Sequence, residues 1–272
     1  MPISIIVPTY NRAHLVHRTI ESVINQTHPD WELIIVDDGS TDATDSVVAR
    51  YQNSKIRYIR QENAGANKAR NEGAMLAQYP YVTFLDSDDE LFPTWVERFL
   101  KELEKNPSIV CCGTLRFEKN KERESLPKPM GKIFNNAIGK FSNGACYAID
   151  KALFFDIGGF DEALRSGQHT ELSFRLADLI VSKKITLSII NQPLVKIHVH
   201  EGPRIRNSSE SKFKGAYHML QKHSDLMTRY PKMKKNYAKI VSYHAFKQHY
   251  FFIGLKSFIT YCKYALIAKF QR

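Results

Sequence analysis

Three aspartates, Asp86, Asp88 and Asp89, directly follow an apolar run that spans residues 81–85. Carboxylates this close together repel one another unless a cation lies among them. An Asp-x-Asp pair at the end of a buried strand can hold a divalent metal ion against a diphosphate. The alternative is a solvated turn in which the aspartates cap the following helix. The cluster alone does not separate these two interpretations.

Polar clusters also end three other short apolar runs, and each cluster leads into a stretch of helical period. The runs cover residues 3–7, 31–36 and 56–59, and the clusters that follow them cover residues 8–12, 37–42 and 61–71. Strands that alternate with helices predict an α/β fold with a mostly parallel central sheet flanked by helices. In such a sheet the ligand crevice lies beyond the carboxyl ends of the strands. We therefore expect all four clusters to meet at one edge.

Four motifs in the first 115 residues resemble those of the family 2 inverting glycosyltransferases, which have the GT-A fold. They read Ile-Val-Pro-Thr-Tyr-Asn-Arg at 6–12, Val-Asp-Asp-Gly-Ser-Thr-Asp at 36–42, Asn-Ala-Gly-Ala-Asn-Lys-Ala-Arg-Asn-Glu-Gly at 63–73 and Leu-Asp-Ser-Asp-Asp at 85–89. The resemblance is dense over residues 1–115 and looser to about residue 202. It implies a GT-A catalytic domain, and the periodicity and charge of the remaining residues indicate a helical basic C-terminal region. The predicted division is 1–203 for the catalytic domain, with a nucleotide-sugar-binding half (1–115) and an acceptor-side half (116–203), and 204–272 for the basic region.

The resemblance assigns most of the nucleotide-sugar site to the first three motifs. Asp38 would accept a hydrogen bond from the imide N–H of uracil or a related base, while Asp37 supports the turn. Arg70 would bind a base carbonyl or a phosphate through paired donors, and Asp86 would contact the ribose or a metal-bound water. The base pocket would be formed by Pro8, Thr9 and Tyr10. The alternatives are helix capping by Asp37 and Asp38 and a surface position for Arg70.

The resemblance also implies a divalent metal ion, Mn²⁺ or Mg²⁺, that bridges the diphosphate of the donor. Asp88 is the direct carboxylate ligand in this interpretation, because hard oxygen donors suit both ions. His200 lies where many family members carry a histidine near the metal and the diphosphate. An imidazole there is a candidate third metal ligand or phosphate donor. The alternative for His200 is a structural histidine on a strand.

The chain departs from the family pattern at residues 166–176, where the catalytic base is expected. Family members usually read Gly-Glu-Asp-x-(Asp/Glu)-Leu-x-x-Arg-Leu there, and the Asp is the base. Aligning on Glu171 and Arg175 places Gln168 and His169 at the Glu-Asp pair. A neutral imidazole can take the proton of an attacking hydroxyl, so His169 is the predicted base, with activity falling below about pH 6.5. Glu171 is a weaker substitute on another side of the helix, and loss of the base function is the alternative.

The basic charge of the chain lies almost entirely in its last quarter. Residues 201–272 contain 15 Lys or Arg against 3 Asp or Glu, whereas residues 1–200 contain 24 against 25. Aromatic residues are interleaved with the lysines there, which suits contact with an anionic membrane surface. The alternative is a helical pair that packs its aromatic side on the catalytic domain or takes part in oligomer contacts. No recognised nucleic-acid-binding motif accompanies the charge, so nucleic acid is not an expected partner.

The cellular compartment is predicted from three features of the sequence. No run of about 18 uninterrupted apolar residues is present, so no transmembrane helix is expected. The first apolar run has no basic leader or cleavage site, and the four cysteines have no metal-binding spacing. We therefore expect a cytoplasmic protein that binds peripherally at the inner face of the membrane.

Together these features predict a metal-dependent, inverting transfer of a sugar from a UDP-sugar to a glycan or lipid-linked glycan. The transferred group would be a hexosyl or N-acetylhexosaminyl unit. Two other classes stay open on the sequence alone. A catalytically silent nucleotide-sugar-binding homologue would explain the missing Asp, and a nucleotidyltransferase also combines a parallel sheet with acidic metal ligands. The latter class usually opens with a Gly-rich phosphate loop, which residues 8–11 do not provide.

Overall fold

The structure, a computed structural model, describes residues 1–118, 121–127, 144–199 and 209–270. Within these residues nine strands form one mixed sheet. They are β1 (Ile3–Thr9), β2 (Trp31–Asp37), β3 (Ile56–Arg60), β4 (Tyr81–Phe84), β5 (Glu90–Leu91), β6 (Ile109–Glu118), β7 (Lys121–Ser125), β8 (Tyr147–Asp150) and β9 (Leu187–His198). The strand order is β3-β2-β1-β4-β8-β6-β9-β5, and β7 pairs with β6.

The strands β3, β2, β1 and β4 are parallel neighbours, as the sequence predicts. Every residue of β1 and β2 is buried, which is the pattern of a parallel sheet covered on both faces. The helices of this half are α1 (Val16–Ile24), α2 (Thr44–Val48), α3 (Ala66–Leu76) and α4 (Trp95–Leu103). Gly73 lets α3 approach β1, because a Cβ atom at this position would lie 2.4 Å from Cγ2 of Ile6. These parallel strands place their carboxyl ends, and the polar clusters that follow them, at one edge.

The second half of the sheet is mixed. The strand β8 is antiparallel to both β4 and β6, whereas β6 and β9 are parallel. Both β5 and β7 pair antiparallel with their neighbours. The mostly parallel arrangement therefore holds for the first four strands and not beyond them. Parallel neighbours need a crossover connection, usually a helix, and the regular alternation of strand and helix ends after α4.

Six further helices follow in the described part of the chain. They are α5 (Lys151–Asp156), α6 (Gln168–Val181), α7 (Ser209–Lys222), α8 (Ser224–Arg229), α9 (Pro231–Lys247) and α10 (Phe251–Phe270). The helical C-terminal extension is thus confirmed. The helices α7, α8 and α9 share a small hydrophobic core with α6 and the loop before it. Its buried members are Leu164, Phe174, Ala177, Met219, Leu226, Met227 and Met233. The predicted boundary at residue 203 lies outside the described residues.

The last helix, α10, buries only one side. Gly254, Ser257 and Tyr264 are buried, and most of its large apolar side chains are exposed. It has 20 residues, and its most apolar 18-residue stretch has a mean hydropathy of 1.3, so it is long and apolar enough to cross a membrane, judged by length and composition alone. Length and composition alone do not show that a helix spans a membrane, so the expectation of no transmembrane helix stays a prediction. That expectation counted uninterrupted apolar residues, and Lys256 and Lys263 interrupt the run.

Candidate functional site

The turns after β1 and β2 are joined by hydrogen bonds at the carboxyl edge of the parallel strands. Asn11 adopts a left-handed backbone conformation with φ of 52°, and its Oδ1 accepts a hydrogen bond from the backbone N–H of Thr41 at 2.7 Å. In return, the backbone N–H of Asn11 donates to Oγ of Ser40 at 2.9 Å. Asp38 N–H also donates to the carbonyl oxygen of Thr9 at 2.9 Å. The two turns are therefore fixed relative to each other.

The carboxylate of Asp38 is buried and holds the turn that leads into α3. It accepts hydrogen bonds from the backbone N–H groups of Ala64 and Gly65, each at 2.8 Å, and from Nε2 of Gln61 at 2.7 Å. Asp37 supports its own turn, as expected, by accepting a hydrogen bond from Ser40 N–H at 2.8 Å. A carboxylate has about four lone-pair positions. The three contacts leave Asp38 room for about one further donor, such as a base N–H.

The predicted base-pocket residues lie at the carboxyl end of β1. Pro8 and Thr9 are buried, whereas Tyr10 is 46% exposed and presents its ring to solvent. Within the described part of the chain, the buried Oγ1 of Thr9 has no hydrogen-bond partner. A buried hydroxyl without a partner is costly. The position therefore suits a ligand that supplies a polar atom.

Arg70 lies on α3 and is buried. The alternative interpretation, in which Arg70 is a surface residue, is therefore wrong. Its guanidinium donates to Oδ1 of Asp86 at 2.7 Å and to Oδ1 of Asn67 at 3.1 Å. The central carbon of the guanidinium lies 5.7 Å from the ring centre of Phe160. Burial alone would raise the pKa of Asp86, but the charge and hydrogen bond of Arg70, with a smaller contribution from Arg12, hold that pKa below its usual value. Asp86 is therefore an anion paired with a fixed cation.

The acidic cluster is compact. Asp86, Asp88 and Asp89 each bring a carboxylate oxygen within 4.8 Å of the others. Asp89 also has a structural contact, because its Oδ1 accepts a hydrogen bond from the backbone N–H of His198 at 3.1 Å. The three aspartates provide only oxygen ligands, which is the donor set that Mg²⁺ and Mn²⁺ prefer. The residues present thus fit a divalent metal ion of this type.

The predicted histidine ligand, His200, lies outside the described residues. The strand β9 ends two residues earlier at His198, whose ring stacks on Phe117 with centroids 5.4 Å apart. Nε2 of His198 lies 2.7 Å from Oε1 of Glu90. This part of β9 is joined to the acidic cluster through the Asp89 contact. The role of His200 stays a prediction.

His169 lies in the first turn of α6 and is only 6% exposed. Its Nδ1 lies 3.2 Å from the hydroxyl oxygen of Tyr147, and its ring meets Phe160 edge to face at 5.3 Å. Among the described residues, Nε2 has no hydrogen-bond partner. Burial, and next the positive charge of Arg70, lower the pKa of His169 to about 3, although Asp86 acts in the opposite direction. The ring is therefore neutral far below the pH of about 6.5 expected from the sequence.

The same Phe160 ring contacts both Arg70 and His169. Arg70 in turn binds Asp86, which begins the acidic cluster. The chain of contacts therefore joins the cluster, the buried cation and the imidazole around one aromatic side chain. Sequence analysis predicted the three polar groups, and the structure brings them together.

Glu171 is placed differently from the weaker catalytic role considered above. Its carboxylate is fully buried and accepts hydrogen bonds from Arg175 at 2.6 Å and from Nε2 of His223 at 3.0 Å, with Nζ of Lys222 also 3.0 Å away. Burial alone would raise its pKa, but these partners, His223 and Arg175 foremost, lower it to about 2. A carboxylate held this strongly as an anion is a poor base. We correct its role to an anchor between α6 and the C-terminal helices.

Two asparagines on α3 were missed as positioning residues. Asn67 donates to the carbonyl oxygens of Asp161 and Leu164, at 2.8 and 2.6 Å. Asn71 exchanges hydrogen bonds with the backbone of Phe160, at 2.8 and 2.9 Å. Together they fix the loop that carries the Phe160 ring. Their spacing of four residues, with Arg70 between them on the same side of a helix, was the available signal.

The sheet and the site together indicate a glycosyltransferase of the GT-A class, because an acidic cluster lies at the carboxyl edge of the parallel strands. Residues 4–160 match the family described as Glycosyl transferase family 2. This match covers more than half of the chain. The chain belongs to Glycosyl transferase family 2.

Two relatives show how far the likeness extends along the sequence. The chain is 31% identical over 245 residues to WcaA of Escherichia coli (strain K12), which is named for colanic acid biosynthesis, and the match covers 84% of this chain and 83% of that one. It is 32% identical over 211 residues to the uncharacterised glycosyltransferase RT0329 of Rickettsia typhi, covering 73% of this chain and 64% of the other. In three other rickettsial relatives the match spans 29–33% of their length.

Solved structures agree on the fold. The fragment 1–349 of S. aureus TarS superposes with a TM-score of 0.64 at 16% identity, covering all of this chain and 93% of the fragment. The same fragment in complex with UDP-GlcNAc superposes with a TM-score of 0.63 at 20% identity, covering 90% and 73%. The GT-A fold is thus confirmed.

Proposed function

We propose that this chain is an inverting glycosyltransferase that moves a sugar from a UDP-sugar to a hydroxyl of a glycan or lipid-linked glycan. The observation that carries the proposal is the ion pair between the buried Arg70 and the partly exposed Asp86 of the acidic cluster, close to His169. A fixed cation, several carboxylates and an imidazole thus lie close together around Phe160. Such groups can bind a nucleoside diphosphate and remove a proton from an attacking hydroxyl.

The donor is proposed to be a uridine nucleotide. Asp38 keeps about one acceptor position for the imide N–H of uracil, and the partnerless hydroxyl of Thr9 lies in the neighbouring turn. Tyr10 offers an exposed ring face for stacking, next to the buried Pro8. The TarS structures, which share the fold, are of complexes with UDP and with UDP-GlcNAc. The remaining acceptor position on Asp38 and the TarS complexes each support a UDP-sugar as the donor.

A divalent metal ion, Mn²⁺ or Mg²⁺, is the proposed cofactor. Asp88 would be its carboxylate ligand, and Asp86 would contact the ribose or a metal-bound water while it stays paired with Arg70. His200 remains the proposed additional ligand. A bound divalent ion supplies positive charge next to the departing diphosphate. Arg70 supplies a second, permanent positive charge at the same edge of the sheet.

His169 is the proposed base. The acceptor oxygen attacks the anomeric carbon from the side opposite the diphosphate, the bond from that carbon to the diphosphate oxygen breaks, and UDP leaves with the bonding electrons. The hydroxyl proton passes to Nε2 of His169, which has no partner among the described residues. Because burial and Arg70 keep the ring neutral, Nε2 can hold a lone pair over a wide pH range.

The acceptor is proposed to be a growing surface glycan, free or linked to lipid. The likeness to WcaA, a protein named for colanic acid biosynthesis, supports a polysaccharide. The proposed location is the cytoplasm, peripherally at the inner face of the membrane. The excess of 15 Lys or Arg over 3 Asp or Glu in residues 201–272 supports attraction to anionic lipid.

A second candidate is a catalytically silent nucleotide-sugar-binding homologue. One observation favours it, which is the low pKa of His169, about 3 because of burial and Arg70. A group with so low a pKa is a weak base, and the best catalytic bases have pKa values near the working pH. This candidate shares the donor site of the first and differs only in the absence of transfer.

Calorimetry and product analysis together test the proposal. The protein is titrated with UDP and with a panel of UDP-sugars, with and without Mn²⁺, and UDP release is measured for the same panel. We expect Mn²⁺-dependent binding and slow release of UDP from one of the sugars, because water replaces the acceptor. Binding of no uridine nucleotide would overturn the proposal. Binding without release or transfer in the presence of glycan acceptors would support the silent homologue instead.

A further inference from the structure

The outward side of α10 is an apolar surface, which we call the outer face. It consists of Phe251, Phe252, Leu255, Phe258, Ile259, Leu266 and Phe270. Each of these side chains is between 47% and 88% exposed. Because an α-helix has 3.6 residues per turn, positions 252, 255, 259, 266 and 270 lie along one side. The outer face is therefore continuous along the 20-residue helix.

The opposite side of α10 already has a partner. Gly254 lies against Phe246 of α9, and a Cβ atom at Gly254 would come within 2.9 Å of that ring. The ammonium group of Lys234 on α9 lies 5.0 Å from the ring centre of Tyr264. Only 17% of the most apolar stretch of α10 is buried in the protein. One side of this helix packs on the protein, and an exposed apolar side of this size indicates contact with a second apolar partner.

The charge of the last two helices distinguishes between two partners for the outer face, a second copy of the chain and an anionic lipid surface. The helices α9 and α10 carry eight lysines and no Asp or Glu over residues 231–270. Lys256 and Lys263 are exposed on α10 beside the outer face. In a two-fold interface the outer face would meet itself, and these lysines would be brought together without any acidic residue nearby on either helix. Anionic headgroups beside an apolar layer match both properties.

We propose that the outer face of α10 docks onto an anionic lipid surface, with the helix lying in the plane of the interface. The apolar side chains enter the boundary between headgroups and acyl chains, and Lys256 and Lys263 contact lipid phosphates. The contacts of Gly254 and Tyr264 with α9 hold the helix on the protein, so it does not cross the bilayer. This inference refines the peripheral location proposed above, and it is independent of the donor and the base.

Vesicle flotation of the full chain tests the docking. We expect binding to phosphatidylcholine vesicles that contain phosphatidylglycerol, weaker binding to pure phosphatidylcholine, and loss of binding as salt is raised. The triple variant Phe252→Ser, Ile259→Ser, Leu266→Ser should bind at least about tenfold more weakly, because it removes three apolar side chains from the interface. A control variant replaces three exposed apolar residues elsewhere, Met75→Ser, Val181→Ser and Ile189→Ser, and should bind like the original protein.

Cys262 provides a second measurement. It is the exposed cysteine of the chain, and the other three, Cys111, Cys112 and Cys146, are buried. A polarity-sensitive thiol dye at Cys262 should shift to the blue on anionic vesicles. The helix should remain extractable by alkaline carbonate, and resistance to extraction would overturn the in-plane arrangement.

Three other results would overturn the docking itself. One is no binding of the original chain to anionic vesicles at low salt, and another is unchanged binding of the outer-face variant. The third is a dimer of the original chain that becomes a monomer in the outer-face variant, since a second copy would then cover the face. UDP binding is measured on the same samples. Its retention in the outer-face variant shows that the fold is intact, and its absence in the original chain would count against the proposed function only.

Discussion

Nδ1 of His169 lies 3.2 Å from the hydroxyl oxygen of Tyr147, and this contact decides which ring nitrogen can act as a base. A neutral imidazole carries one N–H, and the other nitrogen has the lone pair. If Nδ1–H donates to the tyrosine oxygen, Nε2 holds the lone pair and can accept a proton. If the tyrosine O–H donates to Nδ1, Nε2 carries the hydrogen and cannot. Catalysis by His169 requires the first arrangement.

The variant Tyr147→Phe tests this arrangement. Removing the hydroxyl leaves Nδ1–H buried without an acceptor, so the ring should shift its hydrogen to Nε2. An unmade buried hydrogen bond costs about 1–3 kcal/mol, and we expect kcat to fall by about 10- to 100-fold with unchanged UDP affinity. Tyr81→Phe is the control, because its buried hydroxyl donates to the carbonyl oxygen of Pro107 at 2.7 Å. Equal kcat values for the two variants would contradict the tautomer argument.

His169 itself should be replaceable only at a large cost in rate. We expect His169→Ala to lower turnover by about 10²–10⁴-fold, the range for loss of a general base, while UDP affinity stays nearly the same. His169→Asp restores the usual residue of the family and should keep part of the activity. Steady-state kinetics and calorimetry on the same preparations give both quantities. Full activity of His169→Ala would exclude the imidazole as the base.

The pKa of His169 also predicts how stability changes with pH. In the unfolded chain the ring takes up a proton below about pH 6.5, but burial and Arg70 keep it neutral in the folded protein down to about pH 3. The unfolded state thus binds more protons between these values, so stability falls as the pH falls through this window. Between pH 7 and pH 5 this group should lower the free energy of unfolding by up to about 2 kcal/mol.

Urea unfolding of the original chain and of His169→Gln at both pH values measures this loss. The variant has no titrating group at the position, so its stability should fall less between pH 7 and pH 5. A parallel fall in both proteins would mean that the pKa of the ring is close to its ordinary value. A separate rate measurement over the same pH range should show that activity persists well below pH 6.5, in contrast to the expectation from the sequence.

The sequence predicted the parts of the site that follow strands along the chain. Asp38, Arg70 and Asp86 each come directly after a short apolar run or at the start of the next helix, and the parallel sheet brings these positions to one edge. It could not predict the environment of His169. The pKa depends on burial and on Arg70, which is 99 residues away in the chain.

The role of Glu171 could not be predicted for a related reason. Its spacing from His169 indicates only a different side of α6, and its partners Lys222 and His223 lie at the end of α7 and at the junction with α8. Likewise, hydropathy alone does not show that one side of α10 packs on α9 while the other is exposed. Such properties depend on long-range packing, which no local pattern encodes.

Glu171→Gln should destabilise the protein more than it affects the chemistry. The change leaves Arg175, Lys222 and His223 around a neutral group, and breaking a buried ion pair typically costs about 3–5 kcal/mol. The control is Glu210→Gln, which removes a solvent-exposed pair with Lys214 and should leave the melting temperature nearly unchanged. Thermal unfolding gives the melting temperatures, and kcat is measured at low temperature, where both variants are folded. A large loss of kcat without a loss of stability would return Glu171 to the list of candidate bases.

The acidic cluster allows a comparison of two variants that each remove one negative charge. Asp88→Asn should weaken Mn²⁺-dependent UDP binding by at least about 100-fold, because a direct ligand should matter more than outer partners, whose loss costs about 10- to 100-fold. Asp89→Asn should weaken it less, since an amide oxygen can still accept the hydrogen bond from His198 N–H. Calorimetry with UDP, with and without Mn²⁺, measures both, and metal-free binding serves as the internal control. Equal losses in the two variants would show that the cluster acts only through its total charge and that Asp88 is not the metal ligand.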